Sequence, residues 1–377
     1  VNQKGSGNMS DIQQMDVLGL GSMSDVRQNG NDNKSMIEQN GSNNSAMVTQ
    51  NGDQDTSTIT QTVDTNDSDV TVNQAGNTNN TSVVLQQNVE ASSASVSQNG
   101  STNASDVLQL NSENANATVR QTGTTNTSAL DHLGRTNTTV TVTQKQTNNT
   151  SKVVQRGITN NTTTTVLQDG DRNLSDALQQ GGQFKDLSVT QKGTTNKSND
   201  IQFLGNSSSM TINQNGTSND STANQYQAAG NSAVNVKQTG TTNNSDVSQR
   251  WSTNSSVDIT QNGTSNGSLA SQEGTGGTDK ILNSTLTVKQ TGDDNLSEAS
   301  QSSTENGVIS VTQKGNRNDS TATQEGDDNS ITVKQNGNDD VSVASQDAAT
   351  NGSSINVTQN GNTANMSTAT QVAATNS

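Results

Sequence analysis

The sequence predicts an all-β fold: a β-solenoid of about 16 stacked strand–turn–strand rungs, two short parallel sheets facing each other, amyloid-like in its stacking. Three observations carry this. One unit recurs along all 377 residues, apolar and polar residues alternate with a period of two inside it, and proline, which would remove a ladder donor, is absent.

The repeat comes first. Aligned on a Gln two residues before Gly, the units fall at Gln3, Gln28, Gln50, Gln74, Gln98, Gln121, Gln144, Gln168, Gln191, Gln214, Gln238, Gln261, Gln290, Gln313, Gln335 and Gln359, mostly 22–24 residues apart. Residues 1–377 therefore read as a single repeat domain. Each unit follows V-x-Q-x-G-x-x-N-x-S-x-x-x-Q. Val or Ile stands two before the first Gln throughout, from Val1 to Val357, and the Gly is replaced once, by Gln146. Asp55 and Asp340 replace the Asn. The Ser runs from Ser10, Ser35 and Ser57 to Ser367, shifted by one residue at Ser82 and Ser367, and the closing Gln from Gln14 and Gln39 to Gln371, with His132 in its place once.

Inside a unit, Ile331, Val333 and Gln335 alternate with Thr332 and Lys334; then Ser342, Ala344 and Gln346 alternate with Val343 and Ser345. Period two places the first set of each strand on one face. "QNGND" between the strands, and "EGDDN" (325–329) or "DAATNG" (347–352) after them, are rich in residues that tolerate positive φ. A single rung buries nothing; stacked on its neighbours at ~4.8 Å it does. Like residues then form columns. Val311, Val333 and Val357 make an aliphatic stripe beside Ile331. Gln313, Gln335 and Gln359, and Gln324, Gln346 and Gln371, make amide ladders. Gly315, Gly337 and Gly361 line the turn, with Asn318, Ser320 and Ser342 behind it. Buried amides are costly without partners, and a ladder supplies one at every step.

Gln, Gly two later, Asn three after that, then a small residue and a second Gln, every 23 or so residues, resembles the curlin repeat of the major subunit of curli, the bacterial extracellular functional amyloid. The resemblance spans the whole chain. It implies that Ile331, Val333, Gln335, Asp340, Ser342, Ala344 and Gln346 point inward. It also implies a β-solenoid subunit, secreted unfolded and polymerised on the cell surface into biofilm-matrix fibres. A nucleator and secretion chaperones are partners it implies. The chain departs from familiar members in having many more units, almost no aromatic residues, and Ser as the uniform small residue.

Composition narrows the alternatives. Hydrophobic residues at 24% with a net charge of −16 would suit a disordered chain, but the repeat and the missing proline argue against that. Without Cys there are neither disulfides nor thiolate metal sites. No apolar run approaches the roughly 20 residues of a membrane span, and the acidic balance disfavours nucleic acid. The opening "VNQKGSGN" lacks an initiator Met and a signal-peptide pattern, so the chain reads as a mature or trimmed form. With one His and no Cys, no catalytic pair is supported, and His132 reads as a ladder substitute. The carboxylates read as dispersed along turns and outward strand positions, where they repel neighbouring rods.

No cofactor is called for. Calcium patterns are only partial: "GGQFKD" (181–186), "GTGGTDKIL" (274–282) and "DGDRNLSD" (169–176) each miss a required position. Sequons at Asn8, Asn103, Asn196 and Asn318 follow from the repeat's own inward Asn and Ser, whereas Asn79 and Asn137 read as outward. Thr-rich "TNTTVTVTQ" (136–144) gives no regular ice-binding array, because outward residues vary from rung to rung. The enlarged turn "EGTGGTDKILNS" (273–284) reads as tolerated drift.

These readings lead to one functional expectation: a structural, non-enzymatic, extracellular subunit that polymerises with itself. Neither end carries a capping sequence, so Val1, Gln3 and Gln14 at one end and Gln359 and Gln371 at the other are expected to template head-to-tail stacking. The alternative is a monomeric surface solenoid, an adhesin or an ice- or calcium-binding rod.

Overall fold

The computed structural model describes residues 1–15, 21–134, 136–157, 160–276, 280–348, 351–361 and 364–372. The chain divides into two compact units, Val1–Phe184 and Lys185–Ser377. Among the described residues there is no helix. Each unit is a parallel β-solenoid, the fold class the repeat predicts.

In the first unit, Ser45–Asp53 lies between Met23–Asn29 and Asp69–Thr78, and Lys34–Ser42 lies between Met9–Met15 and Thr56–Asn66, all parallel. Alternate strands thus pair, building two stacks. Ala104–Thr124 runs through its corner and joins both stacks, pairing with Thr81–Glu90 by its first half and Ser93–Ser101 by its second. In the second unit, Val308–Lys314 pairs with Thr285–Thr291 and Ser330–Asn336, and Asp319–Glu325 with Leu296–Ser302 and Val341–Gln346.

Along the inward-facing strand columns the register is a pure translation. Val311 sits on Val333 and Val333 on Val357; Gln313 sits on Gln335 and Gln335 on Gln359. A one-residue slip would turn every inward side chain outward, so the alternating pattern alone fixes this pairing. Ser82, one residue later in its unit than its counterparts, still stacks in their column: it lies directly over Ser57 and under Ser105. Its extra residue is absorbed in the preceding corner, where the register shifts between Asn51 and Asp53 and brings Asp53 opposite Thr78. A corner takes up an insertion cheaply, whereas a ladder column does not. The corner before Ser367 includes residues 362–363, which lie outside the described residues.

The core keeps its volume by exchange. In the first unit the second strand carries the bulk (Ile37, Ile59, Val84, Leu130) while the first strand offers Ala46, Ala94 and Ala117 at its outer core position; all are buried. In the second unit the first strand carries Leu187, Met210, Leu286, Ile309 and Ile331, and the second offers Ala223, Ala270, Ala299, Ala322 and Ala344. In these rungs a large residue on one strand faces a small one on the other, an exchange that a tightly packed interior tolerates.

Asp340 is buried, as the resemblance implies, and so is Asp55, the other replacement of the ladder Asn. Asp200 is buried too, contrary to the expectation that carboxylates lie on turns and outward positions, and so is Lys185. Asp200 occupies the column otherwise filled by Ala223 and Val247, and its Oδ2 accepts a short hydrogen bond from Ser198 Oγ. The ammonium of Lys185 donates to the Gln202 carbonyl, 3.2 Å away. A buried charge persists only with such partners.

Candidate functional site: two amide ladders and the turn between them

The features that distinguish this chain chemically are its columns of buried amides. In the first Gln column of each unit Nε2 donates to the Oε1 of the Gln one rung later: Gln3 to Gln28 at 2.6 Å, Gln98 to Gln121 at 2.8 Å, Gln214 to Gln238 at 2.9 Å, Gln313 to Gln335 and Gln335 to Gln359 at 3.0 Å. The second column runs in the same sense, from Gln14 to Gln39 at 2.6 Å through Gln324 to Gln346 at 3.1 Å and Gln346 to Gln371 at 2.8 Å. Each such bond contributes about 0.5–1.5 kcal/mol net, but leaving one unmade in the interior costs more.

The Asn column runs the opposite way. Asn126 Nδ2 donates back to Asn103 Oδ1 at 3.1 Å, and Asn318 Nδ2 back to Asn295 Oδ1 at 3.0 Å. The cause is local. The Asn103 oxygen already accepts the backbone N–H of Asn126 at 3.1 Å, so the same Asn approaches it with both donors. In the Gln column the Nε2 that donates to the next rung caps backbone carbonyls as well. Gln98, for example, donates to Thr81 O and Asn103 O, which leaves only its Oε1 for the preceding rung. Stacking in each unit is therefore directional: one face of a rung is unlike the other.

The turn between the strands explains the Gly. Gly100 has φ +133°, and a Cβ there would lie 1.9 Å from the Gly123 carbonyl oxygen of the next rung. Gln146, the one exception, adopts φ 71° instead. Pairing of Thr136–Thr147 with the following strand ends at Lys145 opposite Asp169, and with the preceding strand it continues through Gln146 to Thr147. The residue before the ladder Asn also has positive φ, at Thr102 (58°), Thr125 (59°) and Arg317 (56°). No glycine signal marks that second position in the sequence.

His132 stands in the second Gln column, paired with Gln109 below and Gln155 above. Gln109 Nε2 lies 3.4 Å from His132 Nδ1, a longer step than the Gln–Gln ones given above. At the outermost described rungs Val1 is 69% exposed and Gln3 and Gln14 are exposed. Gln359 is buried and donates to Val341 O, and Gln371 is half-buried and donates to Ser354 O.

Of the sequons, Asn103, Asn196 and Asn318 are buried in the Asn column, Asn8 is half-buried, and Asn79 and Asn137 are exposed. Part of the enlarged turn is ordered into the stack: Ile281 is buried and pairs with Ser252, and Gly276 approaches the Trp251 ring. Residues 277–279 of that turn, 349–350 of "DAATNG" and 373–377 lie outside the described residues.

No curated protein matches the chain. The Curlin associated repeat family matches it at five places, residues 22–52, 30–62 and 41–76 in the first unit and 306–337 and 326–361 in the second. These stretches contain the Gln, Gly, Asn and Ser columns described above in both units. Curlin associated repeats thus recur in both units, and over those stretches the chain is similar to that family.

Proposed function

We propose that this chain is the structural subunit of a secreted curli-like extracellular amyloid fibre, polymerising head to tail to build biofilm matrix and surface adhesion. The proposal treats residues 1–377 as one repeat domain, since the same unit recurs in both compact units. The observation that carries it is the sameness of successive rungs. A rung holds its neighbour through unpaired strand edges and columns of Gln, Asn and Val, and a rung of another copy offers the same edge in the same register. Such a contact is heterologous and does not close, so it extends into a filament. The opposite senses of the Gln and Asn ladders give that filament a direction. The chain's net charge of −16, carried mostly by outward residues, keeps rods from clumping sideways while leaving the rung edges adhesive.

A structural role fits the family and the fold. The ladder residues are the binding surface, and another copy of this chain is the chief partner, with a nucleator and secretion chaperones as the further partners that curli-like assembly needs. Electron microscopy with an amyloid dye and a detergent challenge tests this. Dye-binding, detergent-resistant filaments are the expected result. A discrete soluble rod at every concentration overturns the proposal in favour of a monomeric adhesin.

A further inference from the structure

The Asn column has two exceptions, and both are buried carboxyls with an oxygen where the column needs a donor. Elsewhere the Asn Nδ2 donates to the turn carbonyl of the next rung: Asn33 to Gly52 O at 2.7 Å, Asn80 to Gly100 O at 2.9 Å, Asn318 to Gly337 O at 2.9 Å. It also reaches the carbonyl four residues back, as Asn149 does to Lys145 O at 2.7 Å.

Asp55 and Asp340 reproduce the other half of the Asn pattern. Asp55 N donates to Asn33 Oδ1 at 3.0 Å, and Asp55 Oδ1 accepts from Asn80 N at 2.9 Å and Asn80 Nδ2 at 3.0 Å. Asp340 N donates to Asn318 Oδ1 at 3.1 Å, and its Oδ1 accepts from Asn365 N at 3.1 Å and Asn365 Nδ2 at 2.7 Å. That leaves Oδ2 in the place of the amide NH₂. In both residues Oδ2 is buried and has no hydrogen-bond donor. An ionised carboxylate accepts only, so it cannot serve the turn carbonyls; a protonated one carries an O–H that can.

We propose that Asp55 and Asp340 are proton-binding sites, held as neutral carboxylic acids in the folded protein. Each is then an acid-dependent stand-in for the ladder Asn, one in each compact unit, and both units fold more favourably in an acidic medium.

The surroundings agree. Burial pushes the Asp55 carboxyl above its ordinary value of 3.8; the Asn80 N–H groups oppose this, and the Asp53 charge adds to it. Asp53 lies on the same turn as Asp55, and Asp32 and Lys34 on the rung below, while residues 76–81 of the rung above contain no titratable group. Around Asp340 stand Asp339, which is paired with Arg317 of the rung below at 2.6 Å, and Asp319 of that same rung. Residues 361–366 contain none. A folded-state value raised above the unfolded one means that the folded state binds the extra proton. For Asp55 the stabilisation is fully present below the ordinary value and is lost as pH rises through the raised one.

The test compares wild type with the Asp55→Asn/Asp340→Asn double variant by infrared difference spectroscopy at about pH 5.5, where ordinary Asp is ionised. A protonated-carboxyl C=O band present in wild type and absent from the variant is expected, in solution or in fibres. In thermal unfolding near pH 7.5 the double variant is expected to melt at least about 2 °C above wild type, with the gap closing near pH 3. No difference band, or a melting gap independent of pH, overturns the proposal. So does a neutral-pH gap that added sodium or calcium chloride closes without any protonated-carboxyl band, because the site would then hold a cation rather than a proton.

Discussion

Replacing Gln238 by Leu removes one link from the middle of a ladder while nearly preserving its volume. Gln238 Nε2 donates to Gln261 Oε1 at 2.9 Å, Asp220 O at 2.7 Å and Ser245 Oγ at 3.3 Å, and its Oε1 accepts from Gln214 Nε2 at 2.9 Å. Gln214 suffers least, since its Nε2 keeps Lys197 O at 2.7 Å and Asn219 O at 3.1 Å. Gln261 Oε1 and the Asp220 carbonyl each lose this donor. At about 1–3 kcal/mol for each buried group left unserved, the loss comes to about 2–6 kcal/mol. Exposed Lys237→Ala on the same strand is the control, with an expected change within about 0.5 kcal/mol. Denaturant unfolding followed by circular dichroism gives the size, and hydrogen exchange gives the place. Because each rung touches only its neighbours, protection should fall around residues 214–261 and persist around 309–346. Equal unfolding midpoints for Gln238→Leu and Lys237→Ala would refute the reasoning, as would a uniform loss of protection across the second unit.

Three further outcomes follow from the geometry. Gly100→Ala should cost more than about 3 kcal/mol in chemical unfolding, since it adds left-handed strain to a collision with the Gly123 carbonyl. Thr125→Gly should instead raise stability by up to about 1 kcal/mol, because φ 59° strains a branched side chain and leaves glycine at ease. His132→Gln should restore an unbroken step from Gln109 to Gln155, detected as a higher melting temperature and as slower exchange at residues 109 and 155.

Much of this architecture was legible because the repeat and the two-residue period act together. Val311, Val333 and Val357 share a face and a position in the unit, and no packing other than direct superposition satisfies both. What stayed hidden required three dimensions. The sense of each ladder depends on which backbone groups an amide meets, so Asn103 and Gln98 run oppositely although the sequence presents both simply as amides. The place of Ser82 depended on where a corner can absorb an extra residue. Lys185 and Asp200 did carry a signal, since each breaks its own column: Ser208 follows the first in register, and Ala223 the second. The exchange of bulk between strands was readable too, by comparing Ile37 and Ala46 with Ala344 and Ile331.

The claim at the centre is that the contact between rungs of one chain also joins chains. High-resolution electron cryomicroscopy of assembled material tests it most directly. The expected image is a filament whose strands lie across its axis in layers about 4.8 Å apart, with Gln and Val columns continuing in register from one copy into the next. Filaments whose copies meet through their outward, charged faces, with the columns broken at every junction, would contradict it.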